Sequence, residues 1–134
     1  MNMTVKKPIL VLDFDGVVHL YSSGWKGVTV IPDPPVDGLF EFLREAVKHF
    51  TVAIYSTRSS YPTGLEAMRQ WLGRWSVDPV HGLPHDVDLS FLGEIEWPEA
   101  KPPALVTLDD RAITFTGDWP SMETLKSFKP WNTR

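Results

Sequence analysis

The chain contains no cysteine, which excludes a disulfide framework, thiolate metal ligands and a cysteine nucleophile. That absence suits a reducing compartment. A long hydrophobic run is also missing. After Met1 to Pro8, which carries Lys6 and Lys7, the first apolar stretch is Ile9 to Leu12, and Asp13 interrupts it. Such a run is too short for a signal-peptide core or a membrane span. Nor is there a basic excess: 13 Lys and Arg stand against 17 Asp and Glu, a formal charge of −4. A general nucleic-acid-binding face is therefore not expected, and nucleic acid enters only as a substrate. These absences lead us to expect a soluble, cytoplasmic protein with no membrane partner. Nothing in the composition points to an oligomeric state.

Hydrophobic residues make up 43% of 134 positions, enough to bury a core, and residues 1–134 read as one domain. Pro8 to Leu12 is a continuous apolar run of the kind found in a strand buried on both faces, and Asp13-Phe14-Asp15-Gly16 follows it. Val17 to Val30 predicts a small β-hairpin or flap. Asp33-Pro34-Pro35 predicts a helix start, with Asp33 as N-cap and Val36, Leu39, Phe40, Leu43 and Val47 on the buried face. Thr51 to Ser56 predicts a second buried strand, and Thr63 to Glu66 has capping-box spacing before a helix through Leu65, Met68, Leu72 and Trp75. A short strand is expected within Phe91 to Trp97, a third buried strand over Leu105 to Leu108, another short strand over Ile113 to Phe115, and a terminal helix through Met122, Leu125 and Phe128. Strands alternating with helices predict an α/β fold with a central, mostly parallel sheet.

Each of the three main strands ends in polar residues: Asp13 and Asp15, then Ser56-Thr57-Arg58, then Asp109-Asp110. In a parallel sheet these tips meet at one edge, where open α/β sheets bind ligands. Four carboxylates gathered there repel one another unless a cation offsets them, and an all-oxygen set favours Mg²⁺ over zinc. The histidines His19, His49, His81 and His85 show no ligand spacing and read as surface or loop residues. Trp71 and Trp75 fall in the helical pattern and read as core, whereas Trp25 lies in the flap.

Asp13-Phe14-Asp15-Gly16-Val17-Val18 resembles the Asp-x-Asp-Gly-Thr/Val signature of the haloacid dehalogenase (HAD) superfamily. Ser56 resembles the second motif of that family, Lys101 the third and Asp109-Asp110 the fourth, in the family's order. The combination of Lys101-Pro102 with Leu108 to Arg111 also resembles small HAD proteins near the phosphatase half of polynucleotide kinase-phosphatases. The resemblance implies a three-layer, Rossmann-like fold and a Mg²⁺-dependent phosphomonoester hydrolase. Asp13 would be its nucleophile and Asp15 its general acid–base. Ser56, Thr57 and a cation would bind the phosphoryl group. The metal would sit on Asp13, the Asp15 carbonyl and Asp109, with Asp110 acting through water or orienting its neighbours.

Two features depart from the family pattern. Val17 stands where many members have Thr, and Lys101 lies only eight residues before Asp109, between Ala100 and two prolines. Lys101 is expected to neutralise the phosphoryl charge, with Arg58 and Arg111 left open as the cation in its place. The intervals Val17 to Asp33 and Ser59 to Ala100 leave no room for a cap domain, so an open site and a minimal cap are expected. The substrate would be a phosphorylated small molecule or a macromolecular end. Two other readings compete: a receiver-like phosphoacceptor domain, although the middle strand tip carries no Asp, and a non-catalytic binding module on the same fold.

Overall fold

The computed structural model describes residues 6–133. Its framework is a three-stranded parallel sheet in the order β2-β1-β3, from β1 (Ile9–Leu12), β2 (Thr51–Ile54) and β3 (Val106–Leu108). Leu10 pairs with Val52 on one side and with Val106 on the other. The fold is thus α/β. From β1 the chain crosses to β2, then returns past β1 to reach β3. Strand order reverses at β1, and the crevice between the carboxyl ends of β1 and β3 is the switch point where such sheets bind ligands.

The first crossover carries α1 (Leu39–His49), whose Leu39, Phe40, Leu43, Ala46 and Val47 are buried on one stripe. It begins later than Asp33-Pro34-Pro35 predicts. A residue before proline is pushed out of the helical region, and here two successive positions precede one. Segment 34–36 instead runs extended beside 18–20: Leu20 N–H donates to the Pro34 carbonyl at 2.9 Å and Val36 N–H to that of Val18 at 3.0 Å. The turn into the helix is made by Gly38, at φ 83, a conformation glycine reaches without steric cost.

The second crossover carries α2 (Pro62–Ser76), with Met68, Trp71 and Leu72 buried. Pro62 occupies the first helical turn and Tyr61 the cap position, so Thr63 lies inside the helix. The capping box belongs to the preceding 3-10 turn, Thr57–Ser60, where Ser56 and Ser59 satisfy each other's backbone. Phe14, Phe40, Leu43, Ile54, Met68 and Trp71 form the centre of one core.

Three other expectations are corrected. The predicted strand near Phe91 to Trp97 is a 3-10 turn (Ser90–Glu94) followed by a single parallel bridge from Glu96 to Ala53. Residues 113–115 take no strand conformation. β3 is an exposed edge rather than a buried strand, with Val106 and Leu108 both open to solvent. The terminal helix is α3 (Met122–Lys126), capped by the Ser121 side chain. No helix among the described residues is long and apolar enough to cross a membrane.

Candidate active site

Parallel pairing brings the ends of β1 and β3 together: Asp13 N–H donates to the Leu108 carbonyl at 3.0 Å, extending the ladder one step past the strands. The residues just beyond that bond are the acidic ones. Asp13, Asp109 and Asp110 each offer a carboxylate oxygen within 4.8 Å of the others. Asp110 is buried, yet both its carboxylate oxygens lack a hydrogen-bond partner. The Arg111 Nε lies 3.8 Å from one of them, too far for a hydrogen bond. Gly16 makes room for that carboxylate. It sits at φ 87, and a Cβ there would collide with the Asp110 side chain.

The electrostatic consequence falls on Asp13. Burial, contact with the Asp110 carboxyl and the charge of Asp109 push its carboxyl up to about 8, against a smaller opposing pull from the Phe14 amide. Such crowding of three carboxyls is relieved by a proton held on Asp13 against Asp110, or by a cation among them. Their oxygen-only donor set fits a hard divalent cation such as Mg²⁺. Asp110 is therefore a member of the acidic group itself, closer in than the indirect role expected of it. The Asp15 carboxylate stands apart from this group.

A cavity of about 290 Å³ opens beside the cluster, lined by Asp13, Ser56, Thr57, Lys101, Asp109 and Arg111 among others. Lys101 and Arg111 are its cations, both exposed. Thr57 is exposed at its rim. The Ser56 hydroxyl is turned into the protein: it accepts from Arg58 N–H at 3.0 Å and approaches Met68 Sδ at 3.6 Å. Its hydroxyl thus serves as a cap for the turn that follows. The chain matches no family model, no curated protein and no solved structure.

Arg58, expected among the phosphate ligands, is fully buried and committed elsewhere. Its Nε reaches Asp15 Oδ2 at 3.0 Å, its Nη2 reaches Oδ1 at 3.2 Å, and its Nη1 donates to the carbonyls of Gly27 and Val28 at 2.8 and 2.7 Å. Trp25 covers the guanidinium, with the ring centroid 4.6 Å from Cζ. The flap, residues 17–33, thus hangs from the tip of β2 without any strand of its own.

His19 corrects the sequence reading most sharply. It is fully buried, walled by the rings of Phe14, Tyr21 and Trp71. Its Nδ1 lies 2.9 Å from Asp15 Oδ1, and its Nε2 accepts from Asp33 N–H at 3.1 Å. Asp33 is held in turn by the hydroxyl and amide of Ser23, which outweigh its burial and keep its carboxyl below the ordinary value. Tyr21, at φ 64, is the one non-glycine residue with positive φ among the described residues. Burial and then the charge of Asp15 raise its hydroxyl. No periodicity marks His19 or Tyr21. The one sequence signal was proximity, since both follow Asp15 within six residues.

Proposed function

We propose that the chain is a Mg²⁺-dependent phosphomonoester hydrolase that works through an aspartyl-phosphate on Asp13, on a HAD-like, three-layer core with a flap in place of a cap. The observation that carries this reading is the trio Asp13, Asp109 and Asp110 at the switch point of a parallel sheet, with both Asp110 oxygens buried and unpartnered. The order of the sequence motifs, with Asp13-Phe14-Asp15-Gly16 first, Lys101 third and Asp109-Asp110 last, supports it further.

Asp13, Asp109 and Asp110 would hold the divalent ion, which offsets the charge of the incoming phosphate and of the nucleophile. An Asp13 oxygen then attacks phosphorus, forming an O–P bond while the bond to the leaving oxygen breaks. Asp15 gives that oxygen its proton. In the second step Asp15 takes a proton from water, the water oxygen bonds to phosphorus, and the Asp13–phosphorus bond breaks to release inorganic phosphate. Lys101 and Arg111 line the cavity and are placed to neutralise the phosphoryl oxygens. The flap occupies residues 17–33 and no further domain interrupts residues 59–100, which supports a site open to phosphorylated small molecules and macromolecular ends alike.

The test is hydrolysis of a generic phosphomonoester. Asp13→Asn should abolish turnover while circular dichroism stays native, and excess chelator should silence the wild type until Mg²⁺ is restored. Asp15→Asn should slow turnover by on the order of 10²-fold or more, the usual worth of general acid–base help. Wild-type rates in the Asp13 variant, or in chelator, refute the reading.

A further inference from the structure

We infer that His19 and Arg58 are positioning residues for Asp15, holding Oδ1 fast so that Oδ2 is the oxygen that takes the proton of the attacking water. The inference rests on the hydrolase reading above and concerns residues that reading leaves unused.

The two oxygens of Asp15 are treated differently. Oδ1 receives His19 Nδ1 at 2.9 Å and Arg58 Nη2 at 3.2 Å, with Arg58 Nε at 3.3 Å behind them. Oδ2 receives only Arg58 Nε, at 3.0 Å. A carboxylate oxygen has two lone pairs, so Oδ1 is saturated and Oδ2 keeps one free. The side chain retains 14% of its surface exposed, enough for a water molecule to reach it.

Each anchor is itself fixed. A backbone N–H can only donate, so the bond from Asp33 N–H makes His19 Nε2 an acceptor. The ring proton therefore sits on Nδ1, aimed at Asp15. Trp71 Nε1 holds the Asp33 carbonyl at 3.1 Å, tying the imidazole to the core of α2. Arg58 has its remaining nitrogen on two flap carbonyls and Trp25 over its face. Lysine could not reproduce this, because it offers a point charge instead of a planar fork. A buried histidine and a buried arginine spent on one partly exposed carboxylate is a costly arrangement for stability alone. It is the kind of support that fixes a reacting group's rotamer.

The experiment uses 2,4-dinitrophenyl phosphate with Mg²⁺. Its leaving group departs without a proton, so kcat/KM reports attack by Asp13, whereas kcat reports hydrolysis of the aspartyl-phosphate. His19→Phe keeps the ring and removes the donor; Arg58→Lys keeps the charge and removes the fork. In each, kcat should fall about tenfold or more, within the range general-base help supplies, while kcat/KM stays within about threefold. A burst of dinitrophenolate close to one equivalent should accompany the fall. His19→Asn, whose amide can donate to Oδ1 in place of Nδ1, should recover most of kcat. If His19→Phe fails to fold, Arg58→Lys and His19→Asn carry the comparison. Equal falls in kcat and kcat/KM without a burst would overturn the positioning role and leave both residues merely structural. Failure of the hydrolase reading looks different: the wild type itself would then show no Asp13-dependent release.

Discussion

Asp13 sits in an environment built against its own charge. Its carboxyl is pushed up to about 8 by burial, by Asp110 and by Asp109, and the unfolded chain has no such environment. Between the ordinary value of 3.8 and about 8, the folded protein therefore keeps a proton that the unfolded chain has already released. Stability in the absence of metal is greatest below that window, falls as pH rises through it, and levels off above. Asp13→Asn cannot ionise, so its stability should not follow this slope, and above pH 8 without metal it should exceed that of the wild type. Urea unfolding at a series of pH values in chelator checks this; parallel curves for the two proteins would contradict it. The same residue then has two faces, a liability to the empty fold and, in the proposed mechanism, the nucleophile. Active sites commonly show that trade.

At the scale of elements, α2 joins the core to the site. Trp71 is fully buried, meets Phe14 and His19 edge-on, and donates to the Asp33 carbonyl. Trp71→Ala should cost about 3–5 kcal/mol, as large-to-small changes at buried aromatics do, and should lower turnover in whatever molecules remain folded. Denaturant unfolding with a parallel assay checks both; a loss under about 1 kcal/mol would mean that the core collapses around the gap. The strands and the two long helices were legible in the sequence because their buried faces repeat: Leu10 to Leu12, Val52 to Ile54, and the stripes of α1 and α2. The acidic tips were legible because a charged residue ending an apolar run is conspicuous. What was not legible depended on non-local partners. Asp33 looks like a helix cap, but two prolines hold the chain extended and Ser23 claims the carboxylate. Ser56 looks like a phosphate ligand, but its hydroxyl caps the turn at Arg58. His19 carries no periodic signal at all, since its burial comes from the loop folding back over α2. β3 reads as buried from its composition, yet Val106 and Leu108 are open to solvent, whereas β2, also at an edge of the sheet, is buried.

Across the whole molecule, a parallel sheet in the order β2-β1-β3 sets three chain segments side by side: the first delivers Asp13, the second hangs the flap through Arg58, and the third supplies Asp109 and Asp110. Residues nearly a hundred positions apart thereby share one crevice, which is the physical basis of the proposed chemistry. The flap carries Trp25 above the buried Arg58, so the residue that holds Asp15 also anchors the flap. Asp13, Asp109 and Asp110 lie within reach of one another, and the proposed mechanism assigns the bond to phosphorus to Asp13 alone. The most direct measurement is to mix the Asp15→Asn variant with 2,4-dinitrophenyl phosphate, whose leaving group needs no proton from Asp15, and Mg²⁺, quench in acid, and map the added phosphoryl group by tandem mass spectrometry. The account predicts one phosphoryl group per chain, on Asp13, and none when Mg²⁺ is chelated. A phosphoryl group on Asp109 or Asp110, or no covalent intermediate at all, would contradict it.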